Sequence, residues 1–324
     1  MSKKEERNHT LQKQLAIAVK SGAIAITPPV KTSYQEKSLS PDEHLELMVS
    51  RGLIVTDKTK ALHYLRFIGY FRLSGYAKFF RQDGSSEFKG GTTFSDIFEL
   101  YKFDRKLRML VMDVHKRIEI AIRVVISNHM SHKYGPHWFM DECYFSNGDE
   151  HKSMLSEVRS SICKNRDEQI ISQYYYNHNS PDLPPSWILC EIMSMGFWSK
   201  VYSNIKSRED RNSIAKHFNI NLVAMESFLH CLTATRNICA HHGRLWNRSF
   251  SIKPILYRGH EDIFRRCDTL YAQLAVINMF INIIADGSSW KQRLSQLFKE
   301  YPTARLCSMG FPQNWENIDF WKQI

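Results

Sequence analysis

A long helical repeat of apolar residues constrains the fold of this chain more than any other feature. From Phe94 to about Tyr134, apolar residues recur at steps of three and four, which is the spacing along one face of an α-helix. The pattern predicts one long helix that ends before Gly135-Pro136. Because no segment alternates between apolar and polar residues over the length of a strand, the sequence predicts an all-α fold.

The other elements can be placed by the same periodicity and by helix start and stop signals. Ser40-Pro41 followed by acidic residues indicates a helix start. Further helices are predicted over Trp187 to Ile205, Leu222 to Arg244 and Asp268 to Asp286. The expected organisation is a polar arm (1–40), an N-terminal helical segment (41–93), a helical core (94–250) and a C-terminal helical segment packed on the core (251–324).

Charge and cysteine usage restrict the class of protein. The 324 residues carry a formal net charge of +11, and 43% are hydrophobic. This composition favours a globular protein with an anionic partner, of which nucleic acid and an acidic membrane face are the usual candidates. The seven cysteines form no CxxC pair, which argues against a disulfide framework. The longest apolar stretch, Leu274 to Ala285, contains two asparagines and is too short and polar for a membrane span. We therefore expect a cytoplasmic protein with no membrane contact and no cofactor.

The segment from Arg236 to Arg248 is rich in residue types that can transfer protons or bind phosphate. It contains three arginines, two asparagines and two adjacent histidines. Histidine exchanges a proton near neutral pH, and arginine binds phosphate oxygens. In a continuous helix, Asn237 and His241 would share one face, which Arg244 and Arg248 would extend. These residue types suit RNA cleavage by attack of its own 2′-hydroxyl, leaving a 2′,3′-cyclic phosphate and a 5′-hydroxyl.

Other interpretations of the segment stay open. An arginine shortly before a histidine occurs at three other places in the chain, so the bare spacing is not specific. The cluster could instead be structural and cap free carbonyls at a helix end. A zinc site built from Cys239, His241 and His242 is possible by residue type, although no fourth ligand is evident. Two small residues, Ala240 and Gly243, would let a second backbone approach.

At the level of combined motifs, the chain resembles the Abi-like (AbiD/AbiF-type) abortive infection proteins, a branch of the HEPN superfamily. The segment from Arg236 to Arg248 looks like the signature of that family. Three further blocks carry the likeness: Arg51 to Ile54 with Ile68 to Tyr76, Arg117 to Arg123, and Met309 to Pro312 with Trp315. The resemblance covers about residues 35 to 324. It implies a HEPN-like helical bundle with N-terminal and C-terminal helical extensions.

The resemblance also implies a function and a site. It implies antiphage defence and metal-independent endoribonuclease activity, with Arg236, Asn237 and His241 as catalytic residues and His242 as the alternate histidine. Since the chain has one copy of the motif, a homodimer is implied. The alternative is a non-catalytic RNA-binding protein that holds a structured noncoding RNA and regulates another effector or host target. Five more arginines are expected to contact RNA: Arg72, Arg117, Arg123, Arg244 and Arg248.

One aromatic block permits two interpretations. Tyr70, Phe71 and Tyr76 lie among glycines close to Arg72. Such aromatic residues more often pack in a core or a turn, which is the interpretation favoured here. They could also stack on RNA bases.

Overall fold

The computed structural model describes residues 37–322, within which the chain forms fourteen α-helices and no strand. The all-α prediction is thereby confirmed, and nearly all of the predicted polar arm lies outside the described residues. The helices are α1 (Pro41–Ser50), α2 (Lys58–Phe67), α3 (Tyr70–Ala77), α4 (Phe94–Tyr134), α5 (Gly148–Lys164), α6 (Gln169–Asn177), α7 (Ser186–Ile192), α8 (Met195–Asn204), α9 (Arg208–Lys216), α10 (Leu222–Ala240), α11 (Glu261–Phe264), α12 (Leu270–Ile284), α13 (Trp290–Glu300) and α14 (Asp319–Lys322).

Helix α4 is the 41-residue helix that the apolar repeat predicts. Its start is a capping box, in which Thr93 and Asp96 satisfy each other's backbone N–H groups. It ends at Gly135, whose φ of 91° suits glycine and breaks the helical path. Both predicted ends are confirmed, the start from the apolar repeat and the end from the local stop signal at Gly135-Pro136.

The core of the protein forms around α4. Its buried side chains include Leu100, Phe103, Leu107, Val111 and Ile118, which supply the hydrophobic driving force for packing. The helices that pack against it come from before and after it in the chain: α3, α7, α8, α9, α10, α12 and α13. Helix α12 is buried along most of its length, as its apolar sequence predicts.

One predicted helix is wrong as a single element. The stretch from Trp187 to Ile205 forms two helices, α7 and α8, because the chain turns extended at Met193 and Ser194. The Ser194 hydroxyl then accepts a hydrogen bond from the N–H of Phe197 at 3.2 Å and starts α8. The apolar periodicity continues across this break, which is why the pattern alone does not reveal it.

Within residues 37–322, no helix combines the length and apolar character needed to cross a lipid bilayer.

Candidate functional site

Helix α10 brings the Arg236–Arg248 segment to the edge of the bundle. Asn221 caps the start of the helix, where its side chain accepts a hydrogen bond from the N–H of Ala224 at 2.9 Å. Its buried side chains, including Met225, Phe228 and Leu232, belong to the core. Since this apolar face fixes the rotation of the helix, it also determines which of the later residues face solvent.

The end of α10 differs from the prediction. The helix stops at Ala240, not at Arg244, so Arg244 and Arg248 do not extend the stripe of Asn237 and His241. The N–H of Gly243 donates to the oxygen of Ile238 at 2.7 Å, and that of His242 to the oxygen of Cys239 at 3.0 Å. These two bonds form a Schellman motif.

His242 takes the left-handed position of this motif, with a φ of 56°. That position usually holds glycine, because a Cβ there costs free energy. The periodic pattern could not show this turn, because the turn depends on the backbone angle of a residue that normally avoids it.

Gly243 serves this turn within its own chain. A Cβ at Gly243 would lie 3.0 Å from Cγ2 of Ile238 and 3.1 Å from its oxygen. Both contacts are tighter than normal packing. The turn therefore explains why a residue as small as glycine stands at position 243. The approach of a second backbone is not needed to explain it.

Asn237 and His241 lie one helical turn apart, as predicted. The N–H of His241 donates to the oxygen of Asn237 at 3.0 Å, and both residues are exposed, as is His242. Within residues 37–322, neither imidazole has a hydrogen-bonding or charged partner. Both histidine side chains therefore lie at the surface formed by residues 37–322. Cys239, in contrast, is buried, and these three residues do not form a metal-binding group in the described part of the chain.

Arg236 contacts Glu119 on α4. Its Nε lies 3.6 Å from Oε2 of Glu119, and its Nη1 lies 3.4 Å from the side-chain oxygen of Asn237. The Arg236 side chain is 31% exposed, whereas that of Glu119 is 11% exposed. The carboxylate thus pairs by charge with one edge of the guanidinium, whose Nε has no hydrogen-bond partner within residues 37–322, while another part of the guanidinium reaches the surface.

Glu119 is itself held by two further contacts, one from α8 and one within α4. Its Oε1 accepts a hydrogen bond from the N–H of Met195 at 3.0 Å, at the start of α8. The same oxygen pairs with Arg123 one turn further along α4. Sequence reasoning did not single out Glu119 as a site residue. The available signal was an acid one turn before Arg123 on a helix face that is otherwise basic.

The sequence also did not predict a second residue near Arg236 as part of the site. His115 is fully buried on α4, one turn before Glu119, and its Nε2 has no hydrogen-bond partner. Burial, reinforced by the positive charge of Arg236, lowers the pKa of His115 to about 3. His115 is therefore neutral at physiological pH, which avoids a second positive charge beside the guanidinium.

The later half of the segment is anchored through its backbone. The N–H groups of Leu245 and Trp246 donate to Oδ1 of Asp104 at 3.1 and 2.7 Å. The indole N–H of Trp246 donates to the oxygen of Ala304 at 2.6 Å. Leu245 and Trp246 are completely buried. This half is therefore part of the core.

Asp104 is the centre of that anchor. It forms a buried ion pair with Arg108 and accepts a hydrogen bond from the Tyr76 hydroxyl at 2.6 Å. Burial raises the pKa of the Asp104 carboxyl, although Arg108 and the hydrogen bonds oppose that shift. Tyr76, one of the three residues of the aromatic block, is thus a packing residue.

The structure places four of the five expected RNA-binding arginines in contacts with the protein itself. Arg72 donates to the oxygen of His242 at 2.6 Å, and Arg244 to the oxygen of Gly75 at 2.8 Å. These two bonds bring α3 against the motif. Arg248 donates to the oxygen of Arg244 at 3.3 Å, and Arg123 to the oxygen of Cys190 at 2.8 Å.

Arg117, the fifth, is exposed on α4. A guanidinium has five donors, so one bond to a backbone oxygen leaves capacity for phosphate. RNA contact by these arginines stays a prediction.

Comparison with protein families agrees with the resemblance noted in the sequence. The family model described as "Abi-like protein" matches residues 63–247, which is more than half of the chain. Curated proteins and solved structures gave no match. The matched region begins in α2 and includes α4 and the segment from Arg236 to Asn247. On this evidence, the chain belongs to the Abi-like protein family.

Proposed function

We propose that this protein is an antiphage endoribonuclease that cleaves RNA at the end of α10. Membership of the Abi-like family indicates a bacterial abortive infection protein. The observation that carries the proposed activity is the grouping of Arg236, Asn237 and His241 at one exposed helix end, with Glu119 holding Arg236 from α4. An exposed imidazole and a guanidinium at the same helix end are groups that can transfer a proton and stabilise charge at a phosphate.

The proposed reaction uses the 2′-hydroxyl of the RNA as its nucleophile. His241 removes the proton from that hydroxyl, and the resulting oxygen attacks the neighbouring phosphorus. Arg236 stabilises the negative charge that develops on the phosphate oxygens. The bond from phosphorus to the 5′-oxygen breaks, and that oxygen takes up a proton. The products are a 2′,3′-cyclic phosphate and a 5′-hydroxyl.

A second copy of the chain would complete this reaction. The reaction needs a base for the 2′-hydroxyl and an acid for the leaving oxygen, and a paired site supplies an imidazole for each. Helix α4 leaves Met109 and Ile120 exposed at 63% and 61%, and Ile120 directly follows Glu119. Exposed apolar side chains on this helix support burial against an identical surface in a symmetric homodimer.

The activity is tested with purified protein and RNA in the presence of EDTA. We expect fragments that end in a 2′,3′-cyclic phosphate and a 5′-hydroxyl, detected by end-specific labelling. Arg236→Ala should lower the cleavage rate by about 100-fold or more, whereas Arg208→Ala, an exposed arginine at the start of α9, should not change it. Unchanged cleavage by Arg236→Ala would overturn the proposed site.

A second candidate function is supported by the surface charge of α4. Arg105, Lys116 and Arg117 are exposed on this helix, and such a basic surface would hold a structured noncoding RNA without cutting it. RNA that copurifies with the protein, together with no cleavage of any RNA tested, would favour this regulatory function over the nuclease.

A further inference from the structure

Phe71 is a large aromatic side chain left uncovered beside the motif. It is 81% exposed on α3, although folding normally covers such a ring. Its neighbours in the aromatic block are accounted for: Tyr76 is buried against Asp104, and Tyr70 stacks on His44 with ring centres 4.2 Å apart. The structure therefore separates Phe71 from the two residues that pack.

The Phe71 ring is held in place although it is exposed. Its centre lies 5.7 Å from the Tyr70 ring and 6.5 Å from the His44 ring, and both contacts are edge-to-face. Two edge contacts orient a ring and leave area on it for a further contact. A ring oriented in advance loses little conformational entropy when it binds a flat ligand.

The position of Phe71 relative to the motif is fixed by two hydrogen bonds. Its neighbour Arg72 donates to the oxygen of His242 at 2.6 Å. Arg244 donates at 2.8 Å to the oxygen of Gly75, which lies one turn from Phe71 on the same helix face. These bonds bring the helix that carries the ring against the backbone at the two exposed histidines.

The charge near the Phe71 ring indicates which kind of partner this surface can bind. Besides Arg72 and Arg244, the exposed residues Lys78, directly after α3, and Arg248, in the motif, belong to the two segments that meet here, and the chain as a whole has a net charge of +11. An apolar protein partner would have to leave these cations unpaired. A single-stranded RNA supplies both a flat base for the ring and phosphates for the cations.

We propose that Phe71 stacks on a base of single-stranded RNA bound across the end of α10. This inference rests on the proposed function in that the stacked base belongs to the RNA positioned for cleavage. Phe71 would then fix the register of the strand, so that one phosphate reaches Arg236 and His241.

The test uses RNA that cannot be cut. Single-stranded oligonucleotides that are 2′-O-methylated throughout lack the nucleophile, and 2-aminopurine placed at successive positions loses fluorescence when its base is stacked. With the wild-type protein, we expect quenching centred on one position. Phe71→Ala and Phe71→Leu should abolish this quenching and raise the Kd about 5- to 100-fold. Phe71→Trp keeps an aromatic ring, so it should retain the quenching and a Kd close to that of the wild type.

Tyr176→Ala is the matched control, because Tyr176 is an aromatic residue that is 90% exposed on α6, outside the segments that meet at the motif. It should leave quenching and Kd unchanged. Circular dichroism checks the fold of each variant. Quenching that persists in Phe71→Leu, a wild-type protein that quenches at no position, or an equal loss in Tyr176→Ala would overturn the proposal.

The proposed nuclease activity and the proposed stacking by Phe71 can be refuted separately. A protein that binds with Phe71-dependent quenching but cleaves no unmodified RNA overturns the nuclease and supports stacking. A protein that cleaves RNA equally well as wild type and as Phe71→Leu keeps the nuclease and overturns stacking.

Discussion

The two halves of the segment from Arg236 to Arg248 use their residues in opposite ways. In the first half, Asn237 and His241 present exposed side chains at a helix end. In the second, Leu245 and Trp246 are 0% exposed, and their backbone N–H groups bind Asp104. A continuous sequence signature thus combines a surface that is available for chemistry with a buried anchor that holds this surface in position.

This difference predicts how each half responds to substitution. Replacing an exposed side chain removes its chemistry and costs little stability. Replacing a buried partner leaves polar groups or charges without compensation in the core. Activity and the free energy of unfolding, measured on the same variants, should therefore separate the two halves.

The largest effect is expected on activity, at His241. His241→Ala should lower the RNA cleavage rate about 10²- to 10⁴-fold, because it removes the proton-transfer group. Its free energy of unfolding, measured by urea titration, should stay within about 0.5 kcal/mol of wild type. His242→Ala is the matched control and should retain more activity. If His242→Ala is instead the inactive variant, the catalytic assignment passes to His242.

The next largest effect is expected on stability, at Asp104. Asp104→Ala should lower the free energy of unfolding by about 3–5 kcal/mol, because it leaves the buried Arg108 charge unpaired. Tyr76→Phe, which removes one of the hydrogen bonds to Asp104, should cost about 1 kcal/mol. Both values follow from urea titration monitored by tryptophan fluorescence. A loss below 1 kcal/mol in Asp104→Ala would show that Asp104 does not anchor the second half.

A pH-dependent effect is expected from His115, beneath the first half. The pKa of His115 is lowered to about 3 in the folded protein, against about 6.5 in an unfolded chain. Protons therefore bind preferentially to the unfolded state below pH 6.5. This contribution to stability is present above that pH and is lost as the pH falls toward 3.

At pH 5, the loss from this group is about 2 kcal/mol relative to pH 7.5. His115→Leu should remove that part of the pH dependence, as seen in urea titrations at both pH values. An identical pH dependence in the variant and the wild type would refute the assignment. His132→Gln, at an exposed histidine elsewhere on α4, serves as the comparison.

The smallest effect is expected at the boundary between the halves. His242→Gly should raise the free energy of unfolding by about 1 kcal/mol, because glycine accepts the left-handed backbone without steric cost. His242→Val should lower it, since a β-branched residue fits this conformation poorly. Thermal unfolding measures both changes. A stability loss in His242→Gly would mean that the imidazole makes a stabilising contact that outweighs the backbone strain.

The sequence predicted the parts of the fold that depend on local patterns. The apolar repeat and the Gly135-Pro136 stop predicted the extent of α4, and the grouping of Asn237 with His241 follows from helix geometry. The predicted end of α10 was wrong because His242 adopts a backbone angle that only the turn reveals. The contacts of Asp104 with Leu245 and Trp246, and of Glu119 with Arg236, join residues more than 100 positions apart. Such contacts depend on tertiary packing and leave no trace in local spacing.

The hydrogen bond from Arg72 to the oxygen of His242 has a consequence for how this protein can be divided. A fragment that began at Phe94 would retain α4, α10 and every residue of the motif. It would lose the arginine that holds the backbone at His242, the Gly75 oxygen that holds Arg244, and the Tyr76 hydroxyl that binds Asp104. The segment before α4 is thus structurally inseparable from the motif, and a minimal working unit should begin no later than α3.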